Sequence, residues 1–353
     1  MTISRRTMLR FGLRSAAAAV AAPAILCEAF AQSPQVTLKL HHALAPIAHA
    51  HTKLLTPWAK GIEHESGGRI RIVIFPSMQL GGTAAQLFDQ ARDGMADIIW
   101  TAPGSQPDRF PGIEVFELPF VADRHAAANC RALNDLHAAH LSKEFADVQP
   151  LGFFANDGGV LHTTKALKRA DDIRGLKIHP STRLCGEALK AMGAQPIEMP
   201  LSQVGEALNR KVIDGCVAPW GSVPSLRAHE LTKFHTAFAG APTFSTRVFL
   251  LAMNKGKYDA LPPDLKGIIE KNGGANAAKL AGAMWDEEAV SVEEMVRKRE
   301  HNISEVSDHD VLRWHKQCEP VTQNWLKAAK ERGLNGEKIL ADAKSLAAKY
   351  GVV

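Results

Sequence analysis

Four histidines within eleven residues form a dense group of potential metal ligands: His41, His42, His49 and His51. Histidine is the commonest protein ligand for zinc, so a zinc-binding protein is one function that this segment permits. A tetrahedral zinc site needs four suitably spaced ligands, and no C-x-x-C, H-x-x-x-H or acidic cluster here completes one. We therefore expect the first two histidines to end a strand and the others to lie in a loop, and we predict neither metal nor cofactor.

Two tryptophans occupy matching positions in two segments that echo each other. Residues 91–97 lead into a short apolar strand that ends at Trp100, and residues 208–214 lead into one that ends just before Trp220. Each strand follows a tight turn with an aspartate, and each is followed by Gly-Ser. Because ligands bind beyond the carboxyl ends of parallel strands, we predict that both tryptophans line one shared cleft.

Motifs of enzyme chemistry are missing from the sequence. It contains no G-x-S-x-G, no phosphate-binding glycine loop and no C-x-x-C. Four widely spaced cysteines follow residue 31, and a chain this long can build its core without disulfides, so we expect buried thiols while leaving their pairing open. They are Cys130, Cys185, Cys216 and Cys318. We predict that the protein is not an enzyme and has no catalytic residue.

Strand and helix patterns alternate twice along the chain. Period-two alternation marks a first strand near residues 36–40, and a helical pattern follows over 52–65. The same plan restarts at the strand 176–178, and the tail from residue 262 is helix-rich, with a long run over 275–298. The order predicts an α/β protein of two lobes, each a mixed, mostly parallel sheet flanked by helices, with a long helix bracing both.

Residues 1–31 have the pattern of a twin-arginine signal peptide. Arg5 and Arg6 precede an alanine-rich apolar run over residues 11–26, and AFA at 29–31 supplies the small residues that a signal peptidase reads. The pattern predicts export to the periplasm. This segment holds four Arg and one Glu, so 38 of the 42 basic and 36 of the 37 acidic residues remain, a balance that gives no reason to expect nucleic acid.

Seven short motifs, taken in order, resemble the substrate-binding subunit of tripartite ATP-independent periplasmic (TRAP) transporters. They are GRI at 68–70, FPSMQLGG at 75–82, DGMAD at 93–97, FELPF at 116–120, GLKI at 175–178, VIDG at 212–215 and LPPDL at 261–265. Each motif alone is weak, whereas the ordered set, which extends from about residue 38 to the C-terminus, is specific.

The resemblance implies a periplasmic protein that closes two lobes around a small organic acid. One lobe would contain residues 36–157 and 245–295, the other 158–244 and 296–353. The loaded protein would deliver its ligand to a membrane permease of one small and one large subunit. A ligand-sensing lobe that serves a membrane receptor remains an alternative, and the oligomeric state stays open.

The expected carboxylate clamp is altered in this chain. The resemblance implies an arginine directly after the strand 176–178, whereas the sequence has His179. A neutral imidazole cannot offer the two parallel donors of a guanidinium. Arg183, near the start of the next helix, is our predicted substitute, and Arg247 is a second candidate.

Two further side chains complete the predicted site. Gln79 lies in the FPSMQLGG loop, where it offers a polar group beside a tight turn, and Phe244 is a further aromatic candidate. The predicted ligand-binding set is His179, Arg183, Trp100, Trp220, Gln79, Phe244 and Arg247. Because two aromatic walls accompany a weakened clamp, we predict an aromatic or branched monocarboxylate as ligand, rather than a C4-dicarboxylate.

Overall fold

The structure, a computed structural model, describes residues 33–238 and 242–351. The predicted signal peptide lies outside these residues. Eleven strands and eleven helices alternate along the described chain. The strands are β1 (Val36–His42), β2 (Ile70–Phe75), β3 (Ile98–Thr101), β4 (Val148–Ala155), β5 (Val160–Thr163), β6 (Lys177–His179), β7 (Gln195–Pro196), β8 (Gly215–Ala218), β9 (Phe234–Phe238), β10 (Val248–Asn254) and β11 (Asn302–Val306).

The helices vary in length from one turn to more than six turns. They are α1 (Thr56–Glu65), α2 (Leu87–Arg92), α3 (Ala126–Leu136), α4 (Arg183–Ala191), α5 (Leu201–Asn209), α6 (Ala228–Leu231), α7 (Lys255–Asp259), α8 (Pro263–Lys271), α9 (Gly274–Arg297), α10 (Asp308–Glu331) and α11 (Gly336–Tyr350). Short 3₁₀ segments include Ile113–Glu117 and Trp220–Ser222. Within the described ranges, no helix is long and apolar enough to cross a membrane.

Two mixed sheets form the frame, as the alternation predicted. The first has the order β2-β1-β3-β10-β4 and the second β11-β9-β5-β8-β6-β7. In the first, β10 runs antiparallel to β3 and β4, and in the second, β5 runs antiparallel to β8 and β9. The chain passes from the first sheet to the second between β4 and β5 and returns between β9 and β10, so each crossing supplies the reversed strand of the sheet it enters.

Helix α9 braces both sheets, which confirms the predicted long helix. Its first half, residues 277–285, packs into the apolar cluster of the first sheet together with Leu265 and Trp58. Its second half contributes Val292 and Val296 to the cluster of the second sheet. One helix therefore belongs to the cores of both lobes, a geometry that fits hinge motion about the crossing segments.

The C-terminal helices divide between the sheets. Helix α10 packs on α4 beside the second sheet, whereas α11 packs on α3 beside the first. The sequence placed all of residues 296–353 in the second lobe, and the lobe boundaries stay a prediction in which the contacts of α11 favour the first lobe. The four described cysteines are buried and unpaired.

Candidate functional site

The carboxyl ends of the parallel strands meet at the two chain crossings. The crossing segments are hydrogen-bonded side by side: the Gly159 amide donates to the Ser245 carbonyl at 2.7 Å, and the Thr246 hydroxyl donates to the Asn156 carbonyl at 2.8 Å. A Cβ on Gly159 would lie 3.0 Å from Val217 and 3.2 Å from the Ser245 carbonyl oxygen, so this approach favours glycine. The crossings would form the floor of the cleft that the sequence predicts between the lobes.

Arg247 stands at this floor with most of its donors unused. It immediately precedes β10, and within the described chain its guanidinium makes one long hydrogen bond, 3.5 Å, to the Ser181 carbonyl. None of the described carboxylates forms an ion pair with it. The guanidinium centre lies 6.0 Å from the centroid of the Phe249 ring, in cation–π range. A half-buried guanidinium with free N–H groups can bind a carboxylate through two parallel hydrogen bonds, and we call this pair of donors the fork.

An aromatic wall adjoins Arg247. Trp100 stacks on Phe249 with centroids 5.3 Å apart and planes at 17°, and Phe249 stacks on Trp285 of the brace helix at 5.7 Å. The indole Nε1 of Trp100 is buried and has no hydrogen-bond partner among the described residues. Trp100 is 2% exposed and belongs to the apolar cluster of the first sheet, so the partly buried Phe249 is the more accessible ring of this wall.

His179 lies at the end of β6, close to Arg247, and differs chemically from the arginine expected there. Its Nδ1 donates to the Ile197 carbonyl at 3.2 Å. Burial lowers the pKa of the imidazole, and the charge of Arg247 lowers it further, so the ring is neutral at pH 7. A neutral ring whose Nδ1 holds the proton presents a lone pair at Nε2. His179 can therefore accept a hydrogen bond at Nε2, and such an acceptor suits a hydroxyl better than a carboxylate.

Arg183, the predicted anchor, is already paired. Its guanidinium contacts Glu114 at 2.8 Å and Glu187 at 2.6 Å. It lines a separate cavity of about 650 Å³, shared with Gln317 and Trp325 of helix α10. The structure thus places Arg183 outside the group formed by Arg247, His179 and the aromatic wall.

The remaining predicted residues lie at different depths. Phe244 is 1% exposed and stacks on Phe238 at 5.1 Å, inside the core. Gln79 is exposed on the loop after β2. Trp220 is buried at the floor, where its amide donates to Asp157 at 3.0 Å. Phe244 thus belongs to the crossing segment between β9 and β10 but packs in the core, whereas Trp220 contacts the other crossing segment through Asp157.

A chain of three histidines runs through the second lobe below Trp220. Nε2 of His162 lies 3.1 Å from the Ala218 carbonyl oxygen, Nδ1 of His162 lies 2.7 Å from Nδ1 of His235, and Nε2 of His235 lies 3.1 Å from Nδ1 of His301. Burial lowers the pKa of His162 to about 3 and that of His235 to about 4. No local pattern indicates this chain of histidines, because its members are 66 and 73 residues apart in the sequence.

Glu117 is a second feature that the sequence reading left out of the site. The carboxylate is 3% exposed and accepts a hydrogen bond from the Val248 amide at 3.0 Å. Burial raises the pKa of Glu117 to about 7. Its position within the FELPF motif gives no indication of this, because the partner lies 131 residues further along the chain.

The four N-terminal histidines make three separate side-chain contacts. His41 contacts Gln90 at 2.6 Å, His42 contacts His51 at 2.9 Å, and His49 contacts Glu288 of the brace helix. Across the described residues, no three His, Cys, Asp or Glu side chains converge as metal ligands would. The paired arrangement gives the zinc-binding alternative no geometric support.

Comparisons with known proteins show the family and the fold of the chain. The model of the bacterial extracellular solute-binding proteins, family 7, matches residues 40–328. A TRAP solute-binding protein from Rhodoferax ferrireducens T118, solved with copurified benzoate, is 38% identical with a TM-score of 0.82, over 89% of this chain and 98% of that one.

Two further solved structures are similar. A marine-metagenome TRAP solute-binding protein specific for aromatic acid ligands, solved with 3-hydroxybenzoate, is 38% identical with a TM-score of 0.84, over 90% of this chain and 99% of that one. A TRAP solute-binding protein from Bordetella bronchiseptica, solved with both enantiomers of mandelate, is 26% identical with a TM-score of 0.80, over 89% and 99%. The similarity extends over nearly the whole length of each chain.

Proposed function

The chain belongs to family 7 of the bacterial extracellular solute-binding proteins, and from this premise we propose that it captures an aromatic monocarboxylate between its lobes. The observation that carries the proposal is the unpaired fork of Arg247 beside the stacked rings of Phe249 and Trp100. The fork receives the carboxylate, and the rings cover the aromatic face. The benzoate and 3-hydroxybenzoate bound by the 38% identical proteins have this chemistry.

Each part of this site contributes a modest free energy. A charge-assisted hydrogen bond to a carboxylate contributes roughly 1.5–3 kcal/mol. A well-placed aromatic contact adds on the order of 1 kcal/mol beyond the area it buries. After the cost of association, contributions of this size correspond to affinities around the micromolar range.

Lobe closure follows from contacts on both sides of the ligand. Arg247 and Phe249 belong to the first lobe's reversed strand and the turn before it, whereas His179 and Ser181 belong to the second lobe. A ligand that contacts both sets favours the closed arrangement by the difference between its affinities for the closed and open states. We propose that binding changes no bond in the ligand and that Trp220 and Gln79 border the closed cleft.

Calorimetric titration of the purified protein with benzoate, 3-hydroxybenzoate and succinate tests the ligand class. We expect saturable binding of both aromatic acids and much weaker binding of succinate, because a single arginine fork lacks a partner for the second carboxylate. Tight binding of succinate without response to either aromatic acid would contradict the proposal.

Export and delivery belong to the same proposal. We propose that the twin-arginine signal carries the folded protein to the periplasm, and that its partner is a permease of one small and one large subunit. Changing Arg5 and Arg6 to lysine should retain the protein in the cytoplasmic fraction, and a normal periplasmic yield from this variant would argue for another export route.

A further inference from the structure

Glu117 occupies the edge of the first sheet where β3 ends. Its Oε1 accepts from the Val248 amide, the first amide of β10, at 3.0 Å. Its Oε2 faces the backbone of Gly104, where an added Cβ would lie 2.9 Å from that oxygen. The carboxyl group thus accepts the hydrogen bond that a further residue of β3 would otherwise accept from β10. The Glu117 side chain is buried, with 3% exposure.

The charges around Glu117 come from three elements. Arg247 approaches from the start of β10, Arg183 from α4, and Glu114 from the 3₁₀ segment that carries Glu117 itself. None of the described cations forms a direct ion pair with the Glu117 carboxylate. Burial raises its pKa to about 7, while the Val248 hydrogen bond and the charge of Arg247 oppose the rise. Burial thus favours the protonated form of Glu117, and the balance between its two forms responds to the charge at Arg247.

We propose that Glu117 is a proton site coupled to the anion site at Arg247, so that capture of an organic anion takes up one proton from solvent onto Glu117. This inference rests on the proposed function, because it places the ligand carboxylate at Arg247. An anion there offsets the positive charge that favours ionised Glu117 and adds a negative charge beside it. Linkage then requires that protonated Glu117 strengthens anion binding to the same extent.

If Glu117 served only to accept the Val248 hydrogen bond, its ability to bind a proton would not matter for ligand binding. Capping the Val248 amide needs only an acceptor, and a glutamine supplies one with nearly the same shape. The substitution E117Q therefore keeps the hydrogen bond while removing the titration, which separates the two roles. Glu144 provides a matched control, because its pKa is also raised to about 7 and it also accepts backbone hydrogen bonds, from Gly112 and Ile113, without a contribution from Arg247.

The experiment is a titration of wild-type protein, E117Q and E144Q with benzoate at pH 7.5, in two buffers of different ionisation enthalpy. Benzoic acid, with an ordinary carboxyl pKa, is fully ionised there, so any proton uptake belongs to the protein. We expect wild type and E144Q to take up roughly half a proton per benzoate, and their Kd to rise roughly threefold per pH unit above pH 7. For E117Q, the uptake should fall to near zero, with a Kd independent of pH.

The outcomes separate the two proposals. Binding of benzoate by wild type without proton uptake overturns the coupling alone, as does an uptake that persists in E117Q. No binding of benzoate overturns the proposed ligand class, and the coupling with it. Should E117Q not fold, a Kd that does not change with pH in wild type and E144Q over pH 6–8.5 still overturns the coupling.

Discussion

Arg183 and Arg247 lie on different elements, the first residue of α4 and the residue before β10, and they differ in what surrounds them. Arg183 holds two carboxylates, at 2.8 and 2.6 Å, one of them the buried Glu114. The Arg247 guanidinium donates one long hydrogen bond, 3.5 Å, to a backbone carbonyl and adjoins the aromatic wall. A guanidinium whose donors are satisfied by the protein stabilises the fold, whereas one with free donors is available to a ligand. The comparison shows that an anchor is identified by its neighbours rather than by its position in a motif.

The largest expected effect on ligand affinity comes from removing the unpaired guanidinium of Arg247. We expect R247Q to raise the Kd for benzoate about 100-fold, because a charge-assisted bidentate contact is lost from a partly buried site. R183Q serves as the matched control and should change the Kd by less than about threefold. Calorimetry at pH 7 measures both, and equal losses in the two variants would break the comparison.

The effects on the free energy of unfolding should rank the two arginines in the opposite order, with the larger loss for R183Q. R183Q leaves Glu114 buried without its cation, and we expect a loss of about 1–2 kcal/mol in the free energy of unfolding. The loss is limited because burial already raises the pKa of Glu114, so the orphaned carboxyl can protonate. R247Q should cost less than about 0.5 kcal/mol. Urea unfolding at pH 7 provides the measurement, and a larger loss for R247Q than for R183Q would contradict this assignment.

The smallest expected effect concerns the hydroxyl acceptor at His179. We expect H179F to lower the preference for 3-hydroxybenzoate over benzoate about fivefold, close to one neutral hydrogen bond of about 1 kcal/mol. H179Q, whose amide oxygen can accept the same hydroxyl, should recover part of the preference. The ratio of the two Kd values measures the effect, and a ratio unchanged in H179F would exclude His179 as the acceptor.

Much of the fold could be predicted from the sequence, because local patterns determine it. The alternation of strand and helix patterns gave both sheets, and the long apolar pattern over 275–298 gave the brace α9 (Gly274–Arg297). The packing of α11 on α3 could not be read in this way, because it depends on contacts between segments some 200 residues apart. Local periodicity shows which face of a helix is apolar, but not which sheet covers it.

The site was less predictable, for the same reason. The departure at His179 is visible in the motif, whereas the pairing of Arg183 depends on Glu114, 69 residues earlier. Phe244 is an aromatic side chain of the kind that often lines a pocket, but it lies in the core. The rings that surround it come from β9 and the FELPF segment, which the local sequence does not show. Arg247 was only the second candidate, because nothing in the sequence shows that its donors stay free.

The histidine chain below Trp220 has one self-consistent arrangement of protons. The Ala218 carbonyl only accepts, so Nε2 of neutral His162 carries hydrogen and its Nδ1 must accept from His235, whose Nε2 then accepts from His301. Because the pKa values of His162 and His235 lie below the ordinary 6.5, the stability they contribute is present above that pH and declines as the solution becomes more acidic. A proton added at Nε2 of His235 would set N–H against the N–H of His301, so protonation of His235 requires His301 to change its tautomer or the hydrogen bond between the two rings to break.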